Sequence, residues 1–468
     1  MQRSWGVVIV TGLVLGLASP AFSAGFALIE QSVSGLGNAF SGGAAAAEDA
    51  STVYYNPAGL SHLQGQQVVA GAHLIVPSAK FHKASASNAL GASLSGGNGG
   101  NAGKAGVAPN FYYAANLNHG ISLGLGVMAP FGLATEYDRT WVGRYHAVES
   151  EVKTVNINPS VAYRVNDHLS VGGGVSAQYI DVNLTSMVDF GASVFQKTLA
   201  ASGGNLQAPA VQAVMPLVSN AAADIYADLN ADDWGYGFNL GLLYEFSKET
   251  RFGASYRSRI KHTVTGDGKF TPQNSAFLAS VPAGPGITLA DAAAASFPTQ
   301  GVKGSITLPA SAALSVYHQL NPEWALMADL LWTEWSTFDE LVIDFAGSLP
   351  DSKTTENWKD NWRYSVGATY HPSEQMVLRM GLAYDQTPVS DGHRTPRIPD
   401  ESRFWTAVGA GFKVTDRLAL DLAYAHLFVN DSKLEQSVTT PENAGRGSLK
   451  GEYKNRVDIA SAQFSYSF

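Results

Sequence analysis

Leu418-Ala419-Leu420-Asp421-Leu422-Ala423-Tyr424 carries the pattern that decides the fold. Its large apolar residues fall on every second position, with small or acidic residues between them. A period of two puts each set on its own face of a β-strand. The apolar face ends on an aromatic ring. The same arrangement recurs along the chain. Leu378, Met380, Leu382 and Tyr384 alternate with Arg379, Gly381 and Ala383. Phe238, Leu240, Leu242, Tyr244 and Phe246 alternate with Asn239, Gly241 and Glu245. Ile121, Leu123, Leu125 and Val127 alternate with Ser122, Gly124 and Gly126. A soluble sandwich alternates too, but with usually shorter strands and its apolar face turned to a shared core. Long strands ending in Tyr, Trp or Phe suit a lipid-facing band with aromatic girdles.

Working outward, about fourteen such segments lie between residues 68 and 468. The third spans 121–134 and the sixth 233–246. Their connections alternate in length. Asn118–Gly120, Val165–His168, Ser247–Thr250, Gln319–Pro322, Pro372–Gln375 and Val414–Asp416 are short, and the connections between them are long. Short periplasmic turns and longer outer loops are the mark of a transmembrane barrel. Both termini then lie on the short-turn side, which requires an even number of strands. The chain ends on Phe468, after Phe464 and Tyr466 in alternation with Ser465 and Ser467. Such an apolar terminal strand would be an exposed edge on a soluble protein, whereas in a barrel it pairs with the first strand. The fold class expected is therefore all-β, an antiparallel transmembrane β-barrel.

Composition agrees. Hydrophobic residues make up 45% of 468, yet mean hydropathy is −0.02, because a barrel interleaves apolar with polar residues. Arg3, the apolar run Gly6–Leu17 and Ala21-Phe22-Ser23 read as a signal peptide over 1–23, leaving Ala24 as the mature N-terminus. The run is too short for a spanning helix. No Cys is present, so thiolate zinc sites are excluded, and the net charge of −9 without a basic cluster argues against nucleic acid.

A barrel of this size has a lumen that its own wall side chains do not fill. Residues 24–65, Gly/Ala-rich with helical stretches, are the right size for a small hatch, though composition alone also fits a linker. Residues 66–468 form the barrel, and its largest loops, 187–232 and 265–300, are Ala-rich with helical runs. Pro130 and Gly132 lie in the third strand. Proline removes a ladder donor and is confined to edges, starts and bulges, so Pro130 marks either a break in the wall or the strand's outer end. Asn56 and Pro57 suit a fixed turn. Alternation places Arg257, Arg363, Arg379 and Arg403 in the lumen, as solvated or ion-paired residues or as partners for a buried carboxylate, which cannot be left unpaired cheaply.

Gly25-Phe26, Ser34–Gly42, Glu48-Asp49-Ala50 and Asn56-Pro57-Ala58 resemble the N-terminal hatch of the FadL family of outer-membrane hydrocarbon transporters. Ala129-Pro130-Phe131-Gly132-Leu133-Ala134-Thr135-Glu136-Tyr137, then Ile398-Pro399-Asp400 with Arg403-Phe404-Trp405, extend the match over nearly the whole mature chain. The resemblance implies capture of a hydrophobic ligand between two outer loops and transfer to a pocket touched by the hatch. Hatch movement and lateral exit at a kinked third strand, at Pro130-Phe131-Gly132, would follow. It makes Phe26 a gate or ligand-contact candidate. Its basic carboxylate partners have no motif counterpart here: Leu184–Phe190 holds no base, and Lys353 lies near the other expected place. Long-chain fatty acids are the expected cargo, and aromatic hydrocarbons, which need no such partner, the alternative. The resemblance also implies partners in outer-membrane lipid, lipopolysaccharide and the barrel assembly machinery, with no cofactor. A plugged single barrel needs no other subunit to close its lumen, so a monomer is expected.

Two rival readings stand beside this one. An enzyme would need a Ser–His pairing or a zinc motif, and neither Gly-x-Ser-x-Gly nor His-Glu-x-x-His occurs; His62, His146, His318 and His426 are scattered. A general porin would share the barrel but lack a hatch and apolar outer loops.

Overall fold

The computed structural model describes residues 25–468 except Asn118. The signal-peptide reading of 1–23 lies outside the described residues. Fourteen antiparallel strands close into one barrel, six of them interrupted along their length. They are β1 (Gln66–Ser87), β2 (Gly106–Asn116), β3 (Ile121–Met128 with Gly132–Glu136), β4 (Glu149–Arg164) and β5 (Leu169–Val188). Next come β6 (Ile225–Glu245), β7 (Thr250–Arg257 with Ile260–Pro272), β8 (Gln300–Leu308 with Ser311–Gln319) and β9 (Trp324–Thr333 with Glu340–Phe345). The last five are β10 (Ser352–Thr355 with Asn361–Ser373), β11 (Met376–Asp385), β12 (Arg403–Lys413), β13 (Leu418–Val429 with Ser432–Gln436) and β14 (Ser448–Ser467). The final strand closes the ring on the first, from Gln67↔Ser467 to Ser87↔Ser448. The apolar C-terminal edge is thus paired, as its sequence required.

The wall is inside out relative to a soluble protein. Leu422 and Tyr424 are each 45% exposed, whereas the alternating Asp421 and Ala423 are 7% and 9% exposed. Only lipid makes that arrangement favourable. Among the described residues no helix is long and apolar enough to cross a membrane, so the crossing is made by strands. β6 begins at Ile225, well before the expected 233. In Asp228-Leu229-Asn230-Ala231-Asp232 the apolar alternation is gone because this stretch extends past the lipid band, where neither face needs to be oily. It still pairs with β5, as in Asp228↔Thr185 and Asp232↔Asp181.

The long connections carry the helices expected of them. Between β5 and β6 lie α4 (Phe190–Ala201) and α5 (Pro209–Val214); between β7 and β8 lie α6 (Ser275–Ser280) and α7 (Leu289–Ser296). The two connections share one apolar cluster built on Phe190, Leu217, Leu278 and Leu289, with Phe190 edge-on to Phe297 at 6.0 Å.

The N-terminal stretch folds inside the ring. It forms α1 (Val33–Gly37), α2 (Gly43–Ala46), α3 (Thr52–Tyr55) and a 3₁₀ turn, Pro57–His62. Most of its side chains are buried. It seats on glycines. A Cβ on Gly124 of β3 would meet Val53 and Leu60, on Gly172 of β5 Pro57 and Ala58, and on Gly241 of β6 Asn56. On Gly253 of β7 it would meet the Ala44 carbonyl, and on Gly367 and Gly381 of β10 and β11 the turn at Asn38. Every one of these approaches is closer than 3.0 Å. Where the wall faces lipid it carries bulk; where it faces this segment it gives up even a methyl group, so backbone packs on backbone.

Candidate functional site

The site begins at a fault in β3. Its pairing with β2 stops at Asn110↔Met128, although β2 continues through Pro109 to Gly106 on β1. On the other side, β3 pairs with β4 as Met128↔Asn156 and resumes as Gly132↔Lys153. Three residues of β3 therefore oppose two of β4, a bulge. Pro130 has no N–H to donate, and the Phe131 amide turns to the Thr154 hydroxyl at 3.0 Å. That hydroxyl donates to the Phe131 carbonyl at 2.7 Å. The wall is interrupted at Ala129–Phe131, with β3 continuing beyond to Glu136.

The N-terminal segment fills the fault. Leu28 N–H donates to the Pro130 carbonyl at 2.8 Å, and Gly132 N–H to the Phe26 carbonyl at 2.9 Å. This short antiparallel bridge centres on Ala27↔Phe131. The side-chain amide of Gln31 adds bonds to the carbonyls of Leu28 and Ala129, at 3.0 and 2.9 Å. Gly25 N–H reaches Asp400 at 3.1 Å. Phe26 is 1% exposed and sits in an aromatic cage. Its ring centroid lies 4.7 Å from Trp335, 5.8 Å from Phe338, 5.9 Å from Trp358 and 6.1 Å from Phe131.

Below the cage is a cavity of about 100 Å³. It is bounded by Ala27–Ile29 and Phe40 of the N-terminal segment, by Pro130 and Phe131 at the fault, and by the lumenal wall. Two of the arginines named from the sequence face it, Arg257 and Arg363. Arg257 donates to the Tyr54 carbonyl at 2.9 Å and lies over the Tyr54 ring. Arg363 donates to the Ala39 carbonyl at 2.8 Å, while its Nε and Nη1 take no protein acceptor. The other basic residues go elsewhere. Arg379 is held by Asp421 at 2.7 Å and Glu48 at 3.3 Å, near the short-turn end. Arg403 pairs with Asp400. Lys353 is exposed and pairs with Glu340 on the outward extension of the strands, away from the cavity.

Asn56, Pro57 and Ala58 hold the turn that seats the segment. Asn56 Oδ1 accepts from Ala58 N–H at 3.0 Å, and Pro57 supplies the first residue of the turn. Asn56 Nδ2 donates to Ala44 O at 2.6 Å and to Leu242 O of β6 at 2.9 Å. One side chain thus ties the turn to α2 and to the wall.

Above the cage lies a cluster that sequence reasoning missed. Glu356, between the two parts of β10, is 2% exposed and accepts from the Trp358 indole at 2.9 Å. Burial pushes its carboxyl up to about 8. Two guanidiniums share its field. Arg397, in the connection from β11 to β12, donates to Ser150 Oγ at 2.8 Å and to Glu149 O at 3.2 Å. Arg446, ahead of β14, donates to Thr354 Oγ1 at 3.1 Å and Ser352 Oγ at 3.0 Å. Burial, then the charge of Arg446, lowers Arg397 to about 10. Buried His146 feels both arginines, its Nε2 takes no protein partner, and burial drops it to about 3. Around neutral pH the group therefore carries more positive than negative charge. These residues sit in four separate connections or strand extensions, so no local spacing announces them.

A family model described as outer membrane protein transport protein (OMPP1/FadL/TodX) matches residues 14–468. The long-chain fatty acid transport protein of Escherichia coli strain K12 is 30% identical over 436 residues, covering 93% of this chain and 94% of that one. The crystal structure of a Pseudomonas aeruginosa FadL homologue superposes with a TM-score of 0.82 at 23% identity, covering 95% of this chain and 100% of that one. The P. putida toluene transporter TodX superposes with a TM-score of 0.62 at 18% identity, covering 90% and 94%. The two solved structures share the fold.

Proposed function

Because this chain belongs to the family of outer membrane transport proteins described as OMPP1/FadL/TodX, we propose that the hydrophobic compound it carries is a long-chain fatty acid. The observation that carries this reading is the cluster above the cage. Two guanidiniums stand against Glu356, whose carboxyl burial holds largely neutral, and against Glu442, which acts on Arg446. A ligand carboxylate entering there would find a charge partner, which a buried carboxylate requires. The acyl chain would extend onto the aromatic cage below.

The geometry supports a reading of the rest of the path. The apolar cluster of α4–α7 is the capture surface at the outer rim. The cavity of about 100 Å³ is smaller than the roughly 300–1,000 Å³ of a typical ligand pocket. The seated state is therefore a closed one, and Phe26 must leave its cage before an acyl chain fits. Withdrawal of Phe26–Leu28 would unpair Pro130 and Gly132 and uncover the gap between β2 and β3. The ligand would leave sideways through that gap into the membrane. Residues 24–65 act as the hatch in this scheme. The ligand moves down its gradient, the barrel acts as a monomer without a cofactor, and no group on the path is set up for catalysis.

The aromatic cage favours a second reading, uptake of aromatic hydrocarbons by the same route. Uptake of labelled oleate, toluene and a small sugar into outer-membrane vesicles separates the two. The double variant Arg397→Gln/Arg446→Gln is expected to cut oleate uptake at least about tenfold, since a charged hydrogen bond is worth roughly 1.5–3 kcal/mol, and to spare toluene. Toluene uptake alone by the unaltered protein would move the substrate to aromatic hydrocarbons. Sugar uptake without either hydrophobe would sink both readings in favour of a porin.

A further inference from the structure

Glu30 is the least comfortable side chain in the N-terminal segment. It is 1% exposed, and neither carboxyl oxygen meets a donor from another residue. Its neighbours in sequence are tightly held. Tyr55 donates to the Ile29 carbonyl at 2.9 Å, and Tyr112 to the Gln31 carbonyl at 2.9 Å. Glu30 is therefore carried into the lumen by a clamped backbone and has no freedom to seek a partner.

The wall opposite is a charged rung. Arg363 of β10, Asp385 of β11 and Arg403 of β12 are directly cross-strand, Arg363↔Asp385 and Asp385↔Arg403. All three act on Glu30. Asp329 of β9 also faces Arg363, and Asp400 pairs with Arg403. From the segment's own α3, Tyr54 and Tyr55 share the same field. With Arg257 lying over Tyr54, three guanidiniums already answer three carboxyls before Glu30 is counted. An ionised Glu30 would be a surplus negative charge, buried and with no hydrogen bond beyond its own backbone N–H, and such a group is expelled or neutralised.

We propose that Glu30 is the release trigger of the N-terminal segment: uncharged while the segment is seated, it drives residues 26–31 off the β3 fault when it ionises. This rests on the reading above that the segment moves. The direction follows from linkage. Burial, opposed in part by Arg363 and Arg403, raises the seated carboxyl from 4.5 to about 7. Below 4.5 both seated and released forms hold the proton, and seating is at its strongest. As pH rises from 4.5 towards 7 the released form ionises first, and the seated form loses ground by up to about tenfold per unit. Above 7 both forms are ionised and the balance is flat.

The chain has no Cys, so a single introduced thiol reports cleanly. Ala27→Cys at the fault is labelled with a maleimide in outer-membrane vesicles at pH 5, 6, 7 and 8. The rate is divided by that of Glu374→Cys in an exposed short turn, which removes the reagent's own pH dependence. The ratio is expected to rise across this range and to level off near pH 8. Adding Glu30→Gln is expected to hold it flat at the pH 5 value. Asp385→Asn, which removes a carboxylate that raises the seated Glu30, is expected to shrink the rise and make it level off at lower pH. Heat-modified gel mobility confirms that each barrel is folded. A Glu30→Gln protein that keeps the same rise would overturn the proposal, as would a ratio that never changes. No fatty acid enters this assay. Failed oleate transport with an intact switch would therefore discard the substrate and keep the trigger, and the reverse result would discard only the trigger.

Discussion

Replacing Gly381 by Val separates the seat of the N-terminal segment from the stability of the wall. Gly381 lies in mid β11, paired with Gly367 and Ala407, and its lumenal side faces the turn after α1. A Cβ there would stand 2.1 Å from Asn38 C, 2.3 Å from Asn38 O and 2.5 Å from Ala39 N. These are backbone atoms and cannot rotate away. The turn has little slack, because Ala39 and Phe40 already hold φ of 49° and 56°, a region most side chains avoid. Overpacking of this kind costs about 1–3 kcal/mol, and the upper end applies where backbone meets backbone. At about 1.4 kcal/mol per decade, the unseated population should rise by roughly 10- to 100-fold. The strand itself should not suffer, since Gly weakens a strand interior and Val suits one. The expected result is an unchanged heat-modified gel shift together with new ion conductance in planar bilayers. Gly173→Val on β5 is the control. Its nearest neighbour is Leu240 Cδ2 at 3.4 Å, an ordinary contact with no part of the segment. If Gly381→Val stays as silent as Gly173→Val in a folded barrel, the segment is not seated by wall glycines and the packing argument fails.

Two further outcomes follow from the fault and the cage. Phe26→Ala removes a ring packed against four others, a change worth about 3–5 kcal/mol in a core; unassisted conductance should rise and oleate should bind without the delay of opening, as read by bilayer recording and stopped-flow. Unchanged conductance would make Phe26 a packing anchor only. Pro130→Ala/Gly132→Ala restores a ladder donor and stiffens the fault, so oleate delivery to the membrane should fall while oleate binding to the detergent-solubilised barrel persists; delivery and binding falling together would mean the fault serves the pocket and not the exit.

What the sequence made legible, and what it hid, divides along a physical line. Strand number, the closing edge, the inside-out faces and the break at Pro130 all rest on signals carried by neighbours in sequence. Alternation such as Leu418–Tyr424 survives because every residue in the lipid band faces either oil or lumen. It fades in Asp228–Asp232, where both faces are polar, and there the start of β6 was misplaced. The lumenal direction of Arg257 and Arg363 follows from period two alone. Whether a lumenal arginine reaches the cavity depends on what the N-terminal segment sets against it, so Arg379 and Arg403, legible as lumenal, are spent in ion pairs. The cluster of Glu356, Arg397, Arg446 and His146 was invisible for a further reason. Its members come from long connections, and only the closed ring brings them together. A single signal pointed towards it: Ile398-Pro399-Asp400, quoted as a landmark, stands next to Arg397.

The unsatisfied polar atoms explain why the segment is held without being locked. Gln31 Oε1, Asn361 Oδ1, Arg363 Nε and Nη1, Ser365 Oγ, Arg379 Nε and Arg403 Nε are buried without a protein partner. Apart from Gln31, they lie on β10, β11 and β12, and Asn110 Oδ1, Ser122 Oγ, Asn156 Oδ1, Asn158 Oδ1 and Ser160 Oγ are likewise unpaired on β2, β3 and β4. Each such group forfeits roughly 1–3 kcal/mol relative to a satisfied one. Against this stand the glycine seat, the β-bridge at Phe131 and the Phe26 cage, all of which favour the seated form. A core built to stay shut would pair these atoms or replace them with apolar groups, since a half-satisfied polar network is worse than an apolar one. Leaving them unpaired would lower the cost of separation, while the cage and bridge at β3 keep the fault covered until something competes for them. In the proposed scheme a hydrophobic ligand arriving at Phe26 would compete directly for the aromatic surface, and loss of that contact would uncover the gap.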